Sequence, residues 1–161
     1  MSARVWVTSA VLGGALLAGM QRVGAAPVSD NGPAPASAIA YAEAQLGKPY
    51  QWGGTGPGSF DCSGLVMEAY QAAGITLPRT SQEMWATGAR VSTPRRGDLV
   101  FFAGADGTDD DPGHVGLVLR AHLMIDAYAS GTTVRIESYG LPSSAPGLTS
   151  VVGFTDPAQG S

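Results

Sequence analysis

Cys62 is the only cysteine in this chain of 161 residues, and it lies where a thiol can act as a nucleophile. A thiol attacks only as thiolate, which the N–H groups and the dipole at a helix N-terminus stabilise. The residues that follow predict a helix that begins at Cys62, which places the thiol in its first turn. A single buried cysteine is more often a small apolar core residue. The nucleophile hypothesis therefore depends on a suitable base elsewhere in the chain.

Two histidines, His114 and His122, could serve as that base. His114 follows Gly113 at the start of an apolar segment, whereas His122 lies in the turn after Arg120. A histidine in a turn is usually exposed to solvent, so we expect His114 to be the base. A structural histidine that is satisfied at a strand end is the alternative.

Asp126 is the candidate for the third group, which accepts a hydrogen bond from the imidazole and keeps it in the right tautomer. A hairpin with an odd-length turn centred near Ala121 would place His114 and Asp126 on one face, as diagonal neighbours. Apolar residues, Ile125 and Ala127, flank this carboxylate, which argues against a surface position. The alternative is that Asp126 only caps a turn.

Helical patterns come first in the chain and strand patterns follow. The first predicted helix is capped by Ser37, carries Ile39, Ala42 and Leu46 on one face and ends at Gly47. The second covers Cys62–Ala73, with Asp61 or Ser59 as its cap. A helical turn is predicted over Gln82–Thr87. The predicted strands are Leu99–Phe102, Val115–Leu119, Leu123–Ala127, Val134–Ser138 and Val151–Phe154. We therefore predict an α+β fold, with helices on one side of a largely antiparallel sheet of about five to six strands.

The N-terminal residues predict export. Arg4 precedes an apolar stretch of roughly 16 residues, shorter than the about 20 of a membrane-spanning helix. Small residues at Val23–Ala25 then offer a cleavage point, so we expect a signal peptide over residues 1–25. An uncleaved membrane anchor is the alternative, and it too would export the domain. A Pro- and Ser-rich linker (26–36) and one domain (37–157) complete the predicted organisation.

Composition narrows the possible partners. The apolar content of 44% is enough for one core, and the net charge of −4 comes with no basic cluster. A nucleic-acid partner is therefore not expected.

Several ordered segments resemble the NlpC/P60 family of cell-wall peptidases, over roughly Ala40 to Ala127. Each segment is weak evidence alone, but their order is specific. They are Gly47-Lys48-Pro49-Tyr50-Gln51-Trp52-Gly53-Gly54, Phe60-Asp61-Cys62-Ser63-Gly64-Leu65-Val66, Leu77-Pro78-Arg79-Thr80-Ser81, Arg96-Gly97-Asp98-Leu99-Val100-Phe101-Phe102, Gly113-His114-Val115-Gly116 and Met124-Ile125-Asp126-Ala127.

The resemblance implies a papain-like fold and a site built on this chain's Cys62 and His114, with a third polar residue at Asp126. It also implies that Tyr50 lines the site and helps to stabilise the oxyanion, together with the Cys62 backbone N–H. Further motif positions near the cleft are candidates for binding the substrate, namely Asp61, Ser63, Arg79 and Trp52. A core position is the alternative for Trp52 and Tyr50.

Two features depart from the family pattern. The family most often has histidine where this chain has Asp126, although a carboxylate suits the orienting role. The acidic loop 103–112, with four aspartates, is also longer than usual and could flank the cleft. We interpret it as a solvated loop rather than a Ca²⁺ site, because its spacing fits no known calcium loop.

These observations together predict an exported cysteine endopeptidase. The resemblance implies that it hydrolyses peptidoglycan stem peptides at the γ-D-glutamyl–diamino acid bond. We expect a monomer in the cell wall or periplasm, with no cofactor or metal and no stable membrane insertion after signal cleavage. A catalytically silent peptidoglycan-binding module and an acyl or amide transferase on the same fold are the alternatives.

Overall fold

A computed structural model describes residues 32–142 and 144–159, where three α-helices accompany one six-stranded sheet. The helices are α1 (Pro33–Glu43), α2 (Cys62–Ala72) and α3 (Ser81–Thr87). The strands are β1 (Ala89–Val91), β2 (Leu99–Phe102), β3 (His114–Arg120), β4 (Leu123–Asp126), β5 (Arg135–Ser138) and β6 (Gly153–Asp156). The predicted signal peptide, and residues 26–31 of the predicted linker, lie outside the described residues.

Within those described ranges, no helix is both long enough and apolar enough to cross a membrane.

The sheet is antiparallel at every pairing, in the order β1-β6-β2-β3-β4-β5. Strands β2 to β5 are neighbours in the sheet in the same order as in the chain, as the short spacing between them predicts. The α+β class and the antiparallel sheet are therefore confirmed. Strand β1 was not predicted, because three residues are too few to show an alternating pattern. It forms by pairing Ala89 with Asp156 of β6.

The two faces of the sheet bury different parts of the chain. One face packs Phe101, Val115 and Ile125 against α1 and α2, in a cluster that includes Ile39 and Leu65. The helices thus lie on one side of the sheet, as predicted. On the opposite face a second apolar cluster joins sheet residues to the segment after β5. The sheet contributes Val100, Phe102, Val118 and Met124, and the segment contributes Tyr139 and Leu148.

Helix α1 begins at Pro33 rather than at Ser37, so the prediction of Ser37 as the cap is wrong. Gly32 occupies the cap position and makes no side-chain hydrogen bond. Proline suits the first helical position, because its fixed φ is helical and its missing N–H has no partner there in any helix. Residues 33–36, whose composition is typical of a linker, are therefore helical.

Smaller differences from the sequence prediction occur at the ends of elements. Ile39 and Ala42 are fully buried on the expected face of α1, but Leu46 lies beyond the helix and is exposed. The last strand begins at Gly153 rather than Val151. Element ends are poorly marked in sequence, since fraying and local hydrogen bonding decide them.

Candidate active site

The start of α2 fixes the position of Cys62. Asp61 caps this helix, and its Oδ1 accepts a hydrogen bond from the Gly64 N–H at 2.7 Å. Its Oδ2 accepts a second from the Gly53 N–H at 2.9 Å, which joins the glycine-rich loop (residues 48–59) to the helix. A Cβ at Gly64 would overlap the Gly54 carbonyl, so only glycine allows this close approach. The thiol of Cys62 is half-buried at the first helical position, as predicted.

His114 and Asp126 meet across the β3–β4 hairpin. Leu117 pairs with Ile125 and Val118 with Met124, so the turn is centred at Ala121, as predicted. This register places His114 and Asp126 on one face as diagonal neighbours. The imidazole Nε2 lies 3.1 Å from Asp126 Oδ2, and the two residues are 5% and 0% exposed. The predicted proximity of these two side chains is therefore confirmed.

The surroundings of His114 favour its protonated form. Burial alone lowers the pKa of the imidazole, but hydrogen bonds with Asp126 and Cys62 and the negative charge on both outweigh burial and raise the pKa to about 9. Nε2 is engaged by Asp126, which leaves Nδ1 for the thiol. The rings of Phe102 and Tyr128 enclose the imidazole, and Tyr128 packs edge-on with ring centroids 5.4 Å apart. The imidazole is thus both oriented and shielded from water.

Tyr50 reaches the same site from the loop before α2. Its backbone N–H donates to the Thr132 carbonyl at 3.0 Å, and its ring packs at the edge of the core. Burial raises the pKa of the phenol, and the negative charges of Cys62, Asp61 and Asp106 raise it further. The hydroxyl therefore stays protonated and can donate a hydrogen bond at neutral pH.

A cavity of about 580 Å³ opens in front of the thiol. It is lined by Tyr50, Trp52, Cys62, Asp106, His114 and Tyr128, among others. Trp52 is 74% exposed at the rim, so the core alternative for this residue is wrong. Tyr50 is half-buried and faces the cavity.

A second cavity of about 450 Å³ is also lined by Cys62 and contains the predicted substrate-binding residues Asp61, Ser63 and Arg79. Arg79 forms a bidentate pair with Asp61, at 2.6 Å from Nη2 to Oδ2 and 3.1 Å from Nη1 to Oδ1. Its Nη1 also donates to Ser63 Oγ at 2.9 Å. The hydrogen bond that Arg79 donates to Asp61 is the main reason that the pKa of Arg79 is raised, although burial opposes it. Arg79 thus presents a fixed positive charge in this cavity.

Of the remaining residues considered from the sequence, Asp106 lies at the cavities and His122 does not. Asp106 lines both cavities, so the acidic loop flanks the cleft as anticipated. His122 is exposed in the β3–β4 turn, as predicted, with its Nδ1 3.4 Å from the Tyr139 carbonyl oxygen. Sequence reasoning missed Tyr128 and Arg135, which contact His114 and Asp126 respectively. Both residues lie in or next to segments that have a strand pattern, but the sequence does not show which residues of β3 and β4 they lie opposite.

A half-buried thiol at a helix N-terminus, facing a histidine that a carboxylate holds on an antiparallel sheet, is the arrangement of papain-like proteins. The family model described as "NlpC/P60 family" matches residues 47–152. The chain belongs to this family.

Individual relatives agree with that assignment. The chain is 44% identical over 95 residues to a protein of Listeria monocytogenes named "Probable endopeptidase p60", covering 58% of this chain and 19% of the relative. It thus spans about a fifth of the length of the curated relatives that it matches.

Solved structures place the fold in the same family. An NlpC/P60 family protein from Bacillus cereus superposes with a TM-score of 0.68 at 30% identity, over 78% of this chain and 40% of that one. The peptidoglycan hydrolase RipB of Mycobacterium tuberculosis has a TM-score of 0.60 at 30% identity, over 76% of this chain and 64% of that one. The predicted papain-like α+β fold is confirmed.

Proposed function

We propose that this protein is an exported cysteine endopeptidase that hydrolyses peptidoglycan stem peptides through Cys62, His114 and Asp126. The observation that carries the proposal is the imidazole of His114, which is held 3.1 Å from a fully buried carboxylate and lines the same cavity as the Cys62 thiol. Nucleophile, base and orienting group are thereby in the order that covalent acyl transfer needs.

The reaction would proceed through a thioester. His114 takes the thiol proton on Nδ1, and the thiolate attacks the carbonyl carbon of the scissile amide. The Cys62 backbone N–H and the Tyr50 hydroxyl would stabilise the oxyanion, since both groups are donors and both residues line the cavity. The imidazolium then protonates the leaving amine. Water, deprotonated by His114, attacks the thioester, releases the acid and restores the thiol.

The cavity beside Arg79 supports a charged peptide as substrate. Stem peptides carry free carboxylates, and the fixed guanidinium of Arg79 suits such a group. Asp61 orients Arg79 and caps α2 at the same time, so we assign it an indirect part in binding. Ser63 and the exposed ring of Trp52 complete the proposed binding surface. The bond that we propose is the one between γ-D-glutamyl and the diamino acid.

Mass analysis of purified wall fragments after incubation with the protein tests this function. We expect wild type to yield two new fragments, an amine and an acid, and in H₂¹⁸O the new carboxyl should carry one ¹⁸O. Cys62→Ala should yield neither fragment. His122→Ala should cleave like wild type, because it removes the exposed turn imidazole and not the base.

Other outcomes would identify the rival functions. Binding of the fragments without new products would indicate a silent binding module. Products that join the acyl group to an amine, without ¹⁸O, would indicate a transferase.

A further inference from the structure

Asp126 uses only one of its two carboxylate oxygens to hold His114. Oδ2 lies 3.1 Å from the imidazole, whereas Oδ1 accepts no hydrogen bond from any residue in 32–142 or 144–159. The residue is fully buried. A buried carboxylate oxygen without a partner is costly, because it has lost its hydration without compensation.

Arg135 is placed to compensate the negative charge of the Asp126 carboxylate. It begins β5 directly opposite Asp126 in the β4–β5 ladder. Its Nε lies 4.0 Å from Asp126 Oδ1, and this Nε is the other buried polar atom that lacks a hydrogen bond in the described part of the chain. A separation of 4.0 Å is an ion pair but too long for a hydrogen bond. Donor and acceptor therefore face each other with no competing partner among the described residues.

Other contacts keep the guanidinium in place. Nη2 of Arg135 forms an ion pair with Glu137 Oε2 at 2.9 Å. The guanidinium carbon lies 5.3 Å from the ring centroid of Tyr128, the same ring that packs edge-on against His114. Catalytic hydrogen bonds are often long in the free enzyme and shorten in the complex. A small rotation of Arg135 about this anchored position would close the gap.

We propose that Arg135 is a positioning residue, which holds the Asp126 carboxylate through Nε and so fixes His114 for proton transfer with Cys62. Opposite charges then alternate along one line: thiolate, imidazolium, carboxylate and guanidinium, with Glu137 beyond Arg135. The titratable and charged groups facing His114 and Asp126 in this line are Cys62, Tyr128, Arg135 and each other. Without Arg135, the buried carboxylate keeps a counter-ion only while His114 is protonated.

Alkylation of the thiol by iodoacetamide tests the inference without any substrate. In Arg135→Gln the midpoint of the rate–pH profile should move upward by about half a pH unit or more, because the imidazolium that supports the thiolate is less well held. Arg135→Lys keeps the charge but loses Nε, so its midpoint should lie between those of Arg135→Gln and wild type. Arg120→Gln is the matched control, since it removes an exposed arginine from the same sheet. It should leave the profile unchanged.

Catalysis gives the second measurement, and this part rests on the proposed function. Arg135→Gln should lower kcat on wall fragments about tenfold, with KM within about twofold, because binding groups are untouched. In an Asp126→Asn background, Arg135→Gln should have no further effect on kcat or on alkylation.

The outcomes separate the two hypotheses. An unmoved or downward alkylation midpoint in Arg135→Gln, or full additivity in the double variant, would overturn the role of Arg135. If the protein cleaves no stem peptide yet its alkylation depends on Arg135 as described, the positioning role stands and the proposed function fails.

Discussion

At the scale of single residues, the partners of the two ring nitrogens decide the orientation and protonation of His114. Nε2 faces a buried carboxylate and Nδ1 is left to the thiol. Burial would by itself favour the neutral ring, and the two negative partners reverse that preference. The resulting imidazolium stabilises a thiolate before substrate arrives and supplies the proton for the leaving amine afterwards. One residue thus serves both halves of the proposed reaction.

The pH dependence of activity follows from the raised pKa of His114. The pKa of His114 is raised from its usual 6.5 to about 9, so the protonated ring persists to higher pH than in a free histidine. We expect kcat/KM to hold between pH 7 and about 8.5 and to fall as pH rises through about 9, because the proton donor is lost. Asp126→Asn removes one stabilising charge, so its alkaline limb should shift to lower pH. A limb at the same pH in both proteins would show that Asp126 does not support the imidazolium.

Substitutions at Asp126 test whether it orients the His114 ring through its hydrogen bond or acts through its negative charge. Asp126→Ala should lower kcat more than about tenfold, or 1.36 kcal/mol, while KM changes little. Asp126→His should retain more activity than Asp126→Ala, because a neutral imidazole can also accept the hydrogen bond. Asp126→Asn should lie between the two, since its oxygen accepts the bond but carries no charge. Turnover of Asp126→Ala within about twofold of wild type would mean that another residue orients His114.

At the scale of elements, the start of α2 depends on two close approaches of backbone. Asp61 ties the helix to the Gly53 loop, and Gly64 lets the helix pass against the Gly54 carbonyl. The same carboxylate fixes Arg79. The proposed nucleophile and the proposed binding charge therefore share one anchor.

Gly64→Ala should disturb this anchor. The added methyl group meets backbone, which cannot move aside as a flexible side chain would, so we expect a loss of about 1–3 kcal/mol in the free energy of unfolding. Gly58→Ala is the matched control, because a Cβ at Gly58 meets nothing within 4 Å. Urea unfolding of both variants measures the difference. Equal stability of the two would show that the loop adjusts freely around α2.

The same scale explains what could be predicted from sequence. Strand β2 was predicted residue for residue, because its four apolar residues are bounded by polar or small ones. The His114–Asp126 pairing was predictable from parity alone, since one short turn connects the two strands. The Asp126–Arg135 pairing was not, because the longer connection between β4 and β5 permits several registers. The start of α1 was also missed, because Pro33–Ala36 has the composition of a linker.

At the scale of the whole molecule, one family unit over residues 47–152 contains every proposed catalytic residue. The helical side of the sheet supplies Cys62, and the central hairpin supplies the proposed base and its proposed orienting group. The acidic loop and the glycine-rich loop border the cleft between them. Substrate of the size of a wall peptide would have to reach this cleft outside the cell, so export is part of the proposed function.

If the protein is exported by a cleaved signal peptide, the first residue of the secreted protein can be predicted. The apolar stretch after Arg4 is short for a membrane span, and Val23-Gly24-Ala25 has small or tolerated residues at both recognition positions for signal cleavage. We therefore expect secreted material to begin at Ala26. N-terminal sequencing of culture supernatant measures this directly, and Ala25→Arg, which places a bulky charge at the cleavage position, should retain the precursor. Recovery only in membranes, with a start at Met1 or Ser2, would instead show that residues 1–25 anchor the peptidase to the cell surface.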